Sequence, residues 1–371
     1  MDPFSLLPDH LISIILSLLP FTEAARTSIL SRRWRNLWVH ITDFYISGRR
    51  HDDLTKQIQC IDAVLSHPQV NILKFRISLS SFAPKPVTDR WAGNLARMRV
   101  TNVSLTLVHV SHVVLQRLLS SKSLTKLKLR YCIFPRDISP LLVSCTSLRH
   151  LDLRGIETSD TAIREIISAC ENLSSLKIGF CVLRQLVVNH QRLECFVWAT
   201  ASRTCDMDIE TPNLRKLKLD ILSCKLRRLR VSAPMLRTSR ICIERSGLPT
   251  DSDSLRSLKE LLAGIRNSER LQLDGEVVQC LPSRFTPLEF ASIFPKLKKL
   301  RITDLGIEDP GQISALTAFL QSFSELRELK IEVKTYSLKL MIPNRRKPTD
   351  QTQAHPANVT VEGKPHELGG W

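Results

Sequence analysis

The sequence predicts an α/β fold in which a short group of helices precedes a long array of repeats, each made of one strand and one return segment. Two observations carry this prediction. Apolar residues within positions 1–45 recur with the period of an α-helix, and the spacing Leu-x-x-Leu-x-Leu returns along most of the remaining chain. With 371 residues, 43% of them hydrophobic, the chain is long enough to form more than one domain.

The first predicted helix has one apolar face and residues suited to both of its ends. Pro8 and Asp9 fit its first turn, because proline loses no needed hydrogen bond there and a carboxylate favours the positive end of a helix. Pro20 ends the helix, since its ring prevents further helical hydrogen bonding. The apolar side chains follow the i, i+3, i+4, i+7, i+8 spacing of one helix face: Leu11, Ile14, Ile15, Leu18 and Leu19.

Two shorter helices are predicted after the first. Thr22 and Ser31 are placed to cap them. One face of the third helix carries Trp34, Leu37, Trp38 and Ile41. Three helices of two or three turns bury little surface among themselves. The segment is therefore either a helical subdomain packed on the rest of the chain or a docking module whose anchors complete their core on a partner.

The stretch LPDHLISIILSLLPFTEAARTSILSRRWRNLW resembles an F-box, in the form found in plant F-box proteins with leucine-rich repeats. The LPD opening, the internal Leu-Pro break, the Arg-Thr-Ser-x-Leu-Ser run and the Arg-Trp-Arg-x-Leu-Trp ending match, whereas His10 stands where that family more often has an acid. The resemblance implies docking on a Skp-type adaptor, which a cullin holds in a ubiquitin ligase. The implied adaptor-binding residues are Leu6, Pro8, Leu11, Ile14, Ile15, Leu18, Leu30, Trp34 and Trp38.

Seven copies of the leucine spacing share one register. They begin at Leu124, Leu148, Leu173, Leu193, Leu214, Leu297 and Leu326. The first five starts are separated by 24, 25, 20 and 21 residues, which is the range of leucine-rich repeats. Because one such repeat cannot bury its apolar face alone, the copies must stack. The array therefore predicts an irregular leucine-rich-repeat solenoid.

The remaining segments extend the array and define its limits. Half-repeats ending at Val188, Ile209 and Val231 resemble the irregular repeats of plant F-box proteins, and FPKLKKLRITDL…FSELRELKIEV resembles the FBD-type end of that family. Alternating apolar residues predict strands over 73–79 and 103–107, so the array is expected to start near residue 70. The predicted domains are an F-box (1–45), a linker helix with irregular first repeats (46–115), leucine-rich repeats with an FBD-like end (116–342) and a disordered tail (343–371).

The net charge of +17 indicates an acidic partner, which nucleic acid, an anionic membrane, phosphate groups or acidic peptides would each provide. Residues between the repeat leucines point away from the core and line the concave face of a solenoid. The predicted client-binding set at these positions is Lys126, Lys128, Arg130, Arg154, Lys177, Lys216, Lys218, Arg228, Arg230, Lys299 and Arg301, joined by Lys330. The acids at equivalent positions are Asp152, Asp220, Glu328 and Glu332. This bias favours an acidic or phosphorylated client, although a merely solvated face has the same pattern.

Motifs for catalysis and cofactor binding are missing from the sequence. It contains no H-E-x-x-H, G-x-x-x-x-G-K-[ST], G-x-S-x-G or C-x-x-C, and nothing near His109 and His112 completes a metal site. We therefore expect no cofactor. The cysteines are expected to be thiols, and four of them sit at repeat-structural positions: Cys132, Cys145, Cys170 and Cys181. No apolar run is long enough to span a membrane and no signal peptide is evident, so a nuclear or cytoplasmic location is expected.

Together these features predict a non-catalytic, substrate-recognition subunit of an SCF-type (Skp–cullin–F-box) ubiquitin ligase. The F-box would dock on the Skp-type adaptor, and the repeats would bind the client. Two alternatives stay open. One is a co-receptor that holds a small molecule or hormone, and the other is a basic nucleic-acid-binding protein, which the lack of a recognition helix or aromatic interleaving disfavours.

Overall fold

A computed structural model gives the structure of the chain. It describes residues 6–19, 21–48, 53–79, 83–106, 111–134, 145–200, 204–222, 225–243, 252–280, 286, 289, 292–305, 320, 323, 325–333 and 337–341. The chain divides into two compact units, which are Met1–Val182 (unit 1) and Leu183–Trp371 (unit 2). Predictions for Pro20 and for the tail at 343–371 lie outside the described residues.

Unit 1 begins with short helical segments. They are α1 (Asp9–Ser17), α2 (Phe21–Arg26) and two 3₁₀ helices, Thr27–Ile29 and Trp34–His40. The third predicted helix is thus a 3₁₀ helix rather than an α-helix. The hydroxyl of Ser31 accepts a long hydrogen bond, 3.4 Å, from the Trp34 N–H, but the N-cap position of this helix is Arg33 and not Ser31 as predicted. The predicted cap at Thr22 is wrong, because α2 already begins at Phe21.

The rest of unit 1 is a parallel sheet with helices in its return segments. Its strands, in both chain order and sheet order, are β1 (Asp43–Ser47), β2 (Lys74–Ser78), β3 (Asn102–Thr106), β4 (Lys126–Arg130), β5 (His150–Arg154) and β6 (Ser175–Gly179). Its return helices are α3 (Leu54–Ser66), α4 (Lys85–Arg97), α5 (His112–Leu119) and α6 (Asp160–Ala169). Asp53, Ser111 and Ser159 cap α3, α5 and α6 with side-chain oxygens that accept backbone N–H hydrogen bonds.

The first strand lies earlier than the sequence suggested. β1 pairs in parallel with β2, in a register that sets Phe44 beside Phe75. The sheet therefore starts at residue 43, ahead of the predicted start of the array near residue 70, and the predicted domain limit at residue 45 falls inside β1. The apolar alternation over 43–47 is only one strand long, which explains why it did not stand out beside the helical segment.

Unit 2 contains two sheets. In the longer one, β8 (Cys195–Thr200), β10 (Lys216–Ile221), β12 (Thr238–Ile243), β13 (Arg270–Asp274), β14 (Lys299–Leu305) and β15 (Glu328–Val333) are parallel, and β16 (Ser337–Met341) pairs antiparallel with β15. The second sheet is parallel and consists of β7 (Gln185–Asn189), β9 (Thr204–Glu210) and β11 (Lys225–Ser232). The helices are α7 (Ser252–Gly264) and α8 (Gly275–Cys280).

The second sheet explains the uneven repeat spacing. The half-repeats that end at Val188, Ile209 and Val231 are its three strands, so they are return segments of strand rather than helix type. A strand-type return needs fewer residues than a helix with two turns, which fits the shorter spacing of 20 and 21 residues there.

The repeat leucines form the cores of both units. Leu127, Leu151 and Leu176 in unit 1, and Leu217 and Leu300 in unit 2, are buried on the inner side of their strands. Cys132, Cys145, Cys170 and Cys181 are buried thiols, as predicted. Among the described residues, no helix is long and apolar enough to cross a membrane.

Candidate functional site

The first candidate surface is the outer side of α1. This helix is apolar on two sides, because Ile12 and Leu16 are fully buried while Ile14 and Leu18 point outward. Leu18 is 80% exposed. The predicted apolar stripe is therefore mainly the outward side of the helix. The helix is held on the protein by Ile12 and Leu16, an i, i+4 pair that was not part of the predicted stripe.

Other predicted adaptor-binding residues extend the same outward surface. Leu6, Leu11 and Leu30 are exposed, as is Pro8 at the start of α1, and Ile15 is half-buried. Ile29, which occupies the unspecified position of the Arg-Thr-Ser-x-Leu-Ser run, is also exposed and was missed. Large apolar side chains rarely gather on the surface of a monomer without a partner to cover them. We call the exposed set Leu6, Leu11, Ile14, Leu18, Ile29 and Leu30 the apolar docking surface.

Two predicted anchors lie behind this surface instead of on it. Trp34 is only 8% exposed, and Trp38 is half-buried, with its ring edge-to-face against Phe21 at 5.8 Å and against His67 at 5.2 Å between centroids. Trp34 therefore cannot contact an adaptor in this conformation. The sequence of a motif does not show whether a large aromatic side chain faces the protein core or its surface.

An aromatic chain fastens the helical segment to the sheet of unit 1. The Phe21 ring lies edge-on to Phe44 of β1 at 4.5 Å, and Phe44 stacks on Phe75 of β2 at 5.3 Å with an interplanar angle of 9°. Arg33 pairs with Asp9 at 2.7 Å and thereby ties the start of α1 to the later helices. The helical segment thus packs on the rest of unit 1 through one side and presents the apolar docking surface on the other.

The second candidate surface is the face of each main sheet that no return segment covers, which we call the open face. In unit 1 it carries Lys126, Lys128 and Arg130 on β4, Arg154 on β5 and Lys177 on β6, all half-buried. The in-register pairing of β4, β5 and β6 places them in adjacent rows.

The predicted client-binding set is only partly on the open face of unit 2. Lys216 and Lys218 lie there on β10, and Lys299 and Arg301 lie there on β14. The prediction is wrong for Arg228 and Arg230, because both lie on β11 of the second sheet. A strand that returns along the sheet has the same alternating pattern as a strand within it, so the sequence could not separate them.

Ion pairs neutralise most of the open face of unit 2. The pairs are Lys218–Asp220 at 2.7 Å, Lys299–Glu328 at 2.5 Å, Arg301–Glu332 at 2.5 Å and Lys330–Glu332 at 2.6 Å. Such partly exposed pairs contribute little to stability. They do, however, provide each cation with a local counter-charge, which reduces its attraction for an acidic client.

The cations of unit 1 are paired differently. Arg154 is paired with Asp152 at 2.9 Å, whereas Lys126, Lys128 and Lys177 have no acidic partner within 4 Å among the described residues. The Nε of Arg130 is buried and has no hydrogen-bond acceptor in the described part of the chain. The net positive charge of the open face is therefore concentrated on β4 and β6.

Burial, and secondly the neighbouring cations, shift the titration of two groups on this face. Burial, followed by the nearby charge of Lys126, lowers the pKa of Lys128 below its ordinary value, and Asp152 opposes the shift. Burial lowers the pKa of His150 as well, with Lys126 as the next cause. In both groups burial and the nearby cations act in the same direction, because each disfavours the charged form.

A trough opens on this face between β2 and β4. Its volume is about 280 Å³. The short side chains of Asn102 and Ser104 on β3 form its floor, and longer side chains form its walls: Lys74 and Arg76 on one side, Lys126 and Lys128 on the other. Asp43 lies at the outer wall, where it pairs with Arg76 at 2.8 Å and Lys74 at 3.7 Å. Four cations and one carboxylate thus surround the space.

Metal-binding side chains do not cluster in the described part of the chain. No group of three or more His, Cys, Asp or Glu side chains lies close enough there to hold a metal ion. His109 lies outside the described residues, as does the side chain of His112.

Comparisons with known proteins identify the family of each part of the chain. Residues 4–42 match the F-box domain family, and residues 88–331, more than half of the chain, match the leucine-rich repeats of the family described as FBD-associated F-box protein At5g56370. In Arabidopsis thaliana, F-box/LRR-repeat protein At3g03360 is 28% identical over 354 residues, covering 89% of this chain and 70% of that protein. FBD-associated F-box protein At4g10400 of the same plant is 27% identical over 350 residues, covering 90% and 78%.

Proposed function

This chain belongs to the FBD-associated F-box proteins with leucine-rich repeats, and from that membership we propose that it is a substrate adaptor of an SCF-type ubiquitin ligase. Proteins of this family are typically non-catalytic. The chain would bind a Skp-type adaptor through its F-box and a client through its repeats. Its contribution to the reaction is proximity, because holding the client near the ubiquitin-carrying enzyme replaces a bimolecular encounter with a local one.

The observation that supports the docking half of this proposal is the apolar docking surface. Ile14 and Leu18 are exposed on α1 although the same helix is held by the buried Ile12 and Leu16. Covering one exposed leucine or isoleucine contributes about 1.5–3 kcal/mol, so a partner that covers several of these side chains would bind tightly. The aromatic contacts from Trp38 to Phe75 pack the helical segment on the sheet behind this surface, and a surface that is already ordered loses less entropy on binding.

The client half of the proposal concerns the open faces of the two sheets. Half-exposed basic side chains alternate there with buried leucines, so the strands hold the cations in fixed rows. We propose an acidic client, and we propose that the complex works in the nucleus or cytoplasm.

Binding to a Skp-type adaptor tests the docking half. The test variant is the double substitution Ile14→Ala/Leu18→Ala, and the matched control is Leu73→Ala/Met235→Ala, which also removes two exposed apolar side chains. We expect the wild type and the control to bind the adaptor stoichiometrically, and the test variant to bind about 100-fold more weakly. Isothermal titration calorimetry on folded proteins measures this. Failure of the folded wild type to bind would overturn the proposal.

A further inference from the structure

A second set of exposed apolar residues lies in unit 1 where β4 and β6 end, and it begins three residues after Lys128 of the trough. Tyr131 directly follows β4 and is 66% exposed, and Phe180 directly follows β6 and is 50% exposed. Two residues further along each segment, Ile133 and Val182 are exposed as well. We call these four residues the apolar ledge.

The backbone holds the ledge outward. Tyr131 and Phe180 both have φ of +55°, a left-handed conformation that is unusual for a bulky aromatic residue. The next residues, Cys132 and Cys181, turn inward, and their thiols donate hydrogen bonds to the carbonyls of Arg130 and Gly179. Such unfavourable backbone conformations cluster at functional sites. Here the two residues that adopt them are aromatic, and both side chains are exposed.

β5, which lies between β4 and β6, is followed by a glycine at the position equivalent to Tyr131 and Phe180. Gly155 follows β5 with φ of +59°, and the Tyr131 ring lies against it. The backbone N–H of Tyr131 donates to the Arg154 carbonyl at 2.8 Å, and that of Gly155 donates to the Gly179 carbonyl at 2.7 Å. The backbone pairing of the strands thus continues through these residues. It places the aromatic residues of the ledge one residue beyond Arg130 and Arg154 along the strands.

The trough has the chemistry of a phosphate site. Lys126 and Lys128 have no acidic partner in the described chain, and the side chains of Asn102 and Ser104 on the floor make no hydrogen bond there. A phosphate dianion would receive charge from the walls and hydrogen bonds from the floor.

We propose that unit 1 binds the client as an extended phosphorylated segment, with the phosphate in the trough and an apolar side chain against the ledge. This inference rests on the proposed function. Tyr131 lies three residues after Lys128 along the chain, which corresponds to about 10 Å in an extended strand. An extended peptide covers that distance in about three residues, so the apolar residue lies about three positions from the phosphorylated one.

Nucleic acid fits these observations less well. The cations without acidic partners span β4 to β6, a width on the order of 10 Å, which is enough for one or two phosphates. Asp43, Asp152 and the exposed Glu157 bound this area. Nucleic-acid binding without sequence readout instead requires many backbone phosphates in a row, and an exposed apolar ledge does not contribute to it.

The experiment uses the full chain in complex with a Skp-type adaptor. The probes are two fluorescent peptide libraries, one with a fixed phosphoserine flanked by four degenerate positions on each side, and one with serine instead. Fluorescence polarisation should show at least tenfold tighter binding of the phosphorylated library. Sequencing of the retained peptides should show apolar residues about three positions from the phosphoserine. Excess inorganic phosphate should compete, but only weakly, because it lacks the ledge contact.

Variants separate the two parts of the site. Lys126→Gln/Lys128→Gln should abolish the preference for phosphate, whereas Lys85→Gln/Lys122→Gln, which removes the same charge from exposed positions off the sheet, should keep it. Tyr131→Ala/Phe180→Ala should keep the phosphate preference and lose the apolar selection. Circular dichroism and retained adaptor binding show that each variant is folded.

Three results would overturn the inference: equal binding of the two libraries, equal effects of the test and control lysine pairs, or a single-stranded DNA 20-mer that binds the trough more tightly than the phosphorylated library. A complex that binds the adaptor but not the phosphorylated library rejects only the inference. A folded chain that does not bind the adaptor rejects the proposed function.

Discussion

The ring of Tyr131 occupies the space that a side chain on Gly155 would need, at the end of the neighbouring strand β5. A Cβ atom on Gly155 would be 2.8 Å from Tyr131 Cδ1, and Gly155 also has a left-handed backbone with φ of +59°. Glycine is therefore required here for two separate reasons, because a side chain would both strain the backbone and displace the ring.

A double-mutant cycle separates these two reasons. Gly155→Ala should destabilise the chain by about 2 kcal/mol, of which roughly 1–2 kcal/mol is the left-handed backbone. In a Tyr131→Ala background the clash is gone, and we expect the same substitution to cost about 1 kcal/mol. Urea unfolding followed by circular dichroism measures each free energy. Equal costs in both backgrounds would show that the ring does not press on Gly155.

Two leucines on α1 should respond in opposite ways to substitution. Leu16 is fully buried, so Leu16→Ala should lower the free energy of unfolding by about 2–5 kcal/mol. Leu18 is exposed, so Leu18→Ala should change it by less than about 0.5 kcal/mol. Adaptor binding by the folded proteins should follow the reverse order. Similar unfolding free energies for the two variants would contradict the orientation of α1.

Cys242 should resist alkylation at moderately alkaline pH. Burial, followed by hydrogen bonding to Asp274, raises the pKa of the Cys242 thiol to about 12. Only the thiolate reacts, so at pH 9 we expect labelling by iodoacetamide to be at least about tenfold slower than for the same cysteine in urea. Mass spectrometry of the labelled peptide gives both rates, and equal rates would contradict the raised pKa.

The same pKa shift has a consequence for stability. The folded chain holds the Cys242 proton more tightly than the unfolded chain does. Its stabilising contribution is therefore complete below pH 9, the ordinary thiol value, and is lost as the pH rises towards about 12.

The ion pairs on the open face of unit 2 should reduce the affinity of its cations for anionic partners. Glu328→Gln/Glu332→Gln removes the partners of Lys299 and Arg301, and affinity for heparin should then rise about fivefold for each cation that becomes available. Asp253→Asn/Glu325→Gln changes the net charge equally at exposed positions, and serves as the control. Salt-dependent elution from a heparin column compares them. Identical elution of the two variants would mean that pairing does not limit the open face of unit 2.

Much of the fold could be predicted from residue spacing, but the side of α1 that faces the protein could not. The leucine register located the repeat strands because side chains alternate in and out of a sheet with a period of two, and Leu127 and Leu151 are buried accordingly. On α1, however, apolar residues occur on more than one side. The outward stripe could be identified from the sequence. The burial of Ile12 and of Trp34 could not, because it depends on which residues pack against them.

The sequence by itself determined that this chain has an F-box followed by leucine-rich repeats, and that the open positions of its strands are mainly basic. Only the tertiary structure decided which of those cations keep an uncompensated charge. Pairing depends on strand register, which brings Lys299 to Glu328 and Arg301 to Glu332 although 29 and 31 residues separate them in the chain. No such partner reaches Lys126 or Lys128 within the described residues. Their row neighbours on β3, Asn102 and Ser104, carry no charge, and Asp152, the neighbour of Lys128 on β5, pairs with Arg154 instead.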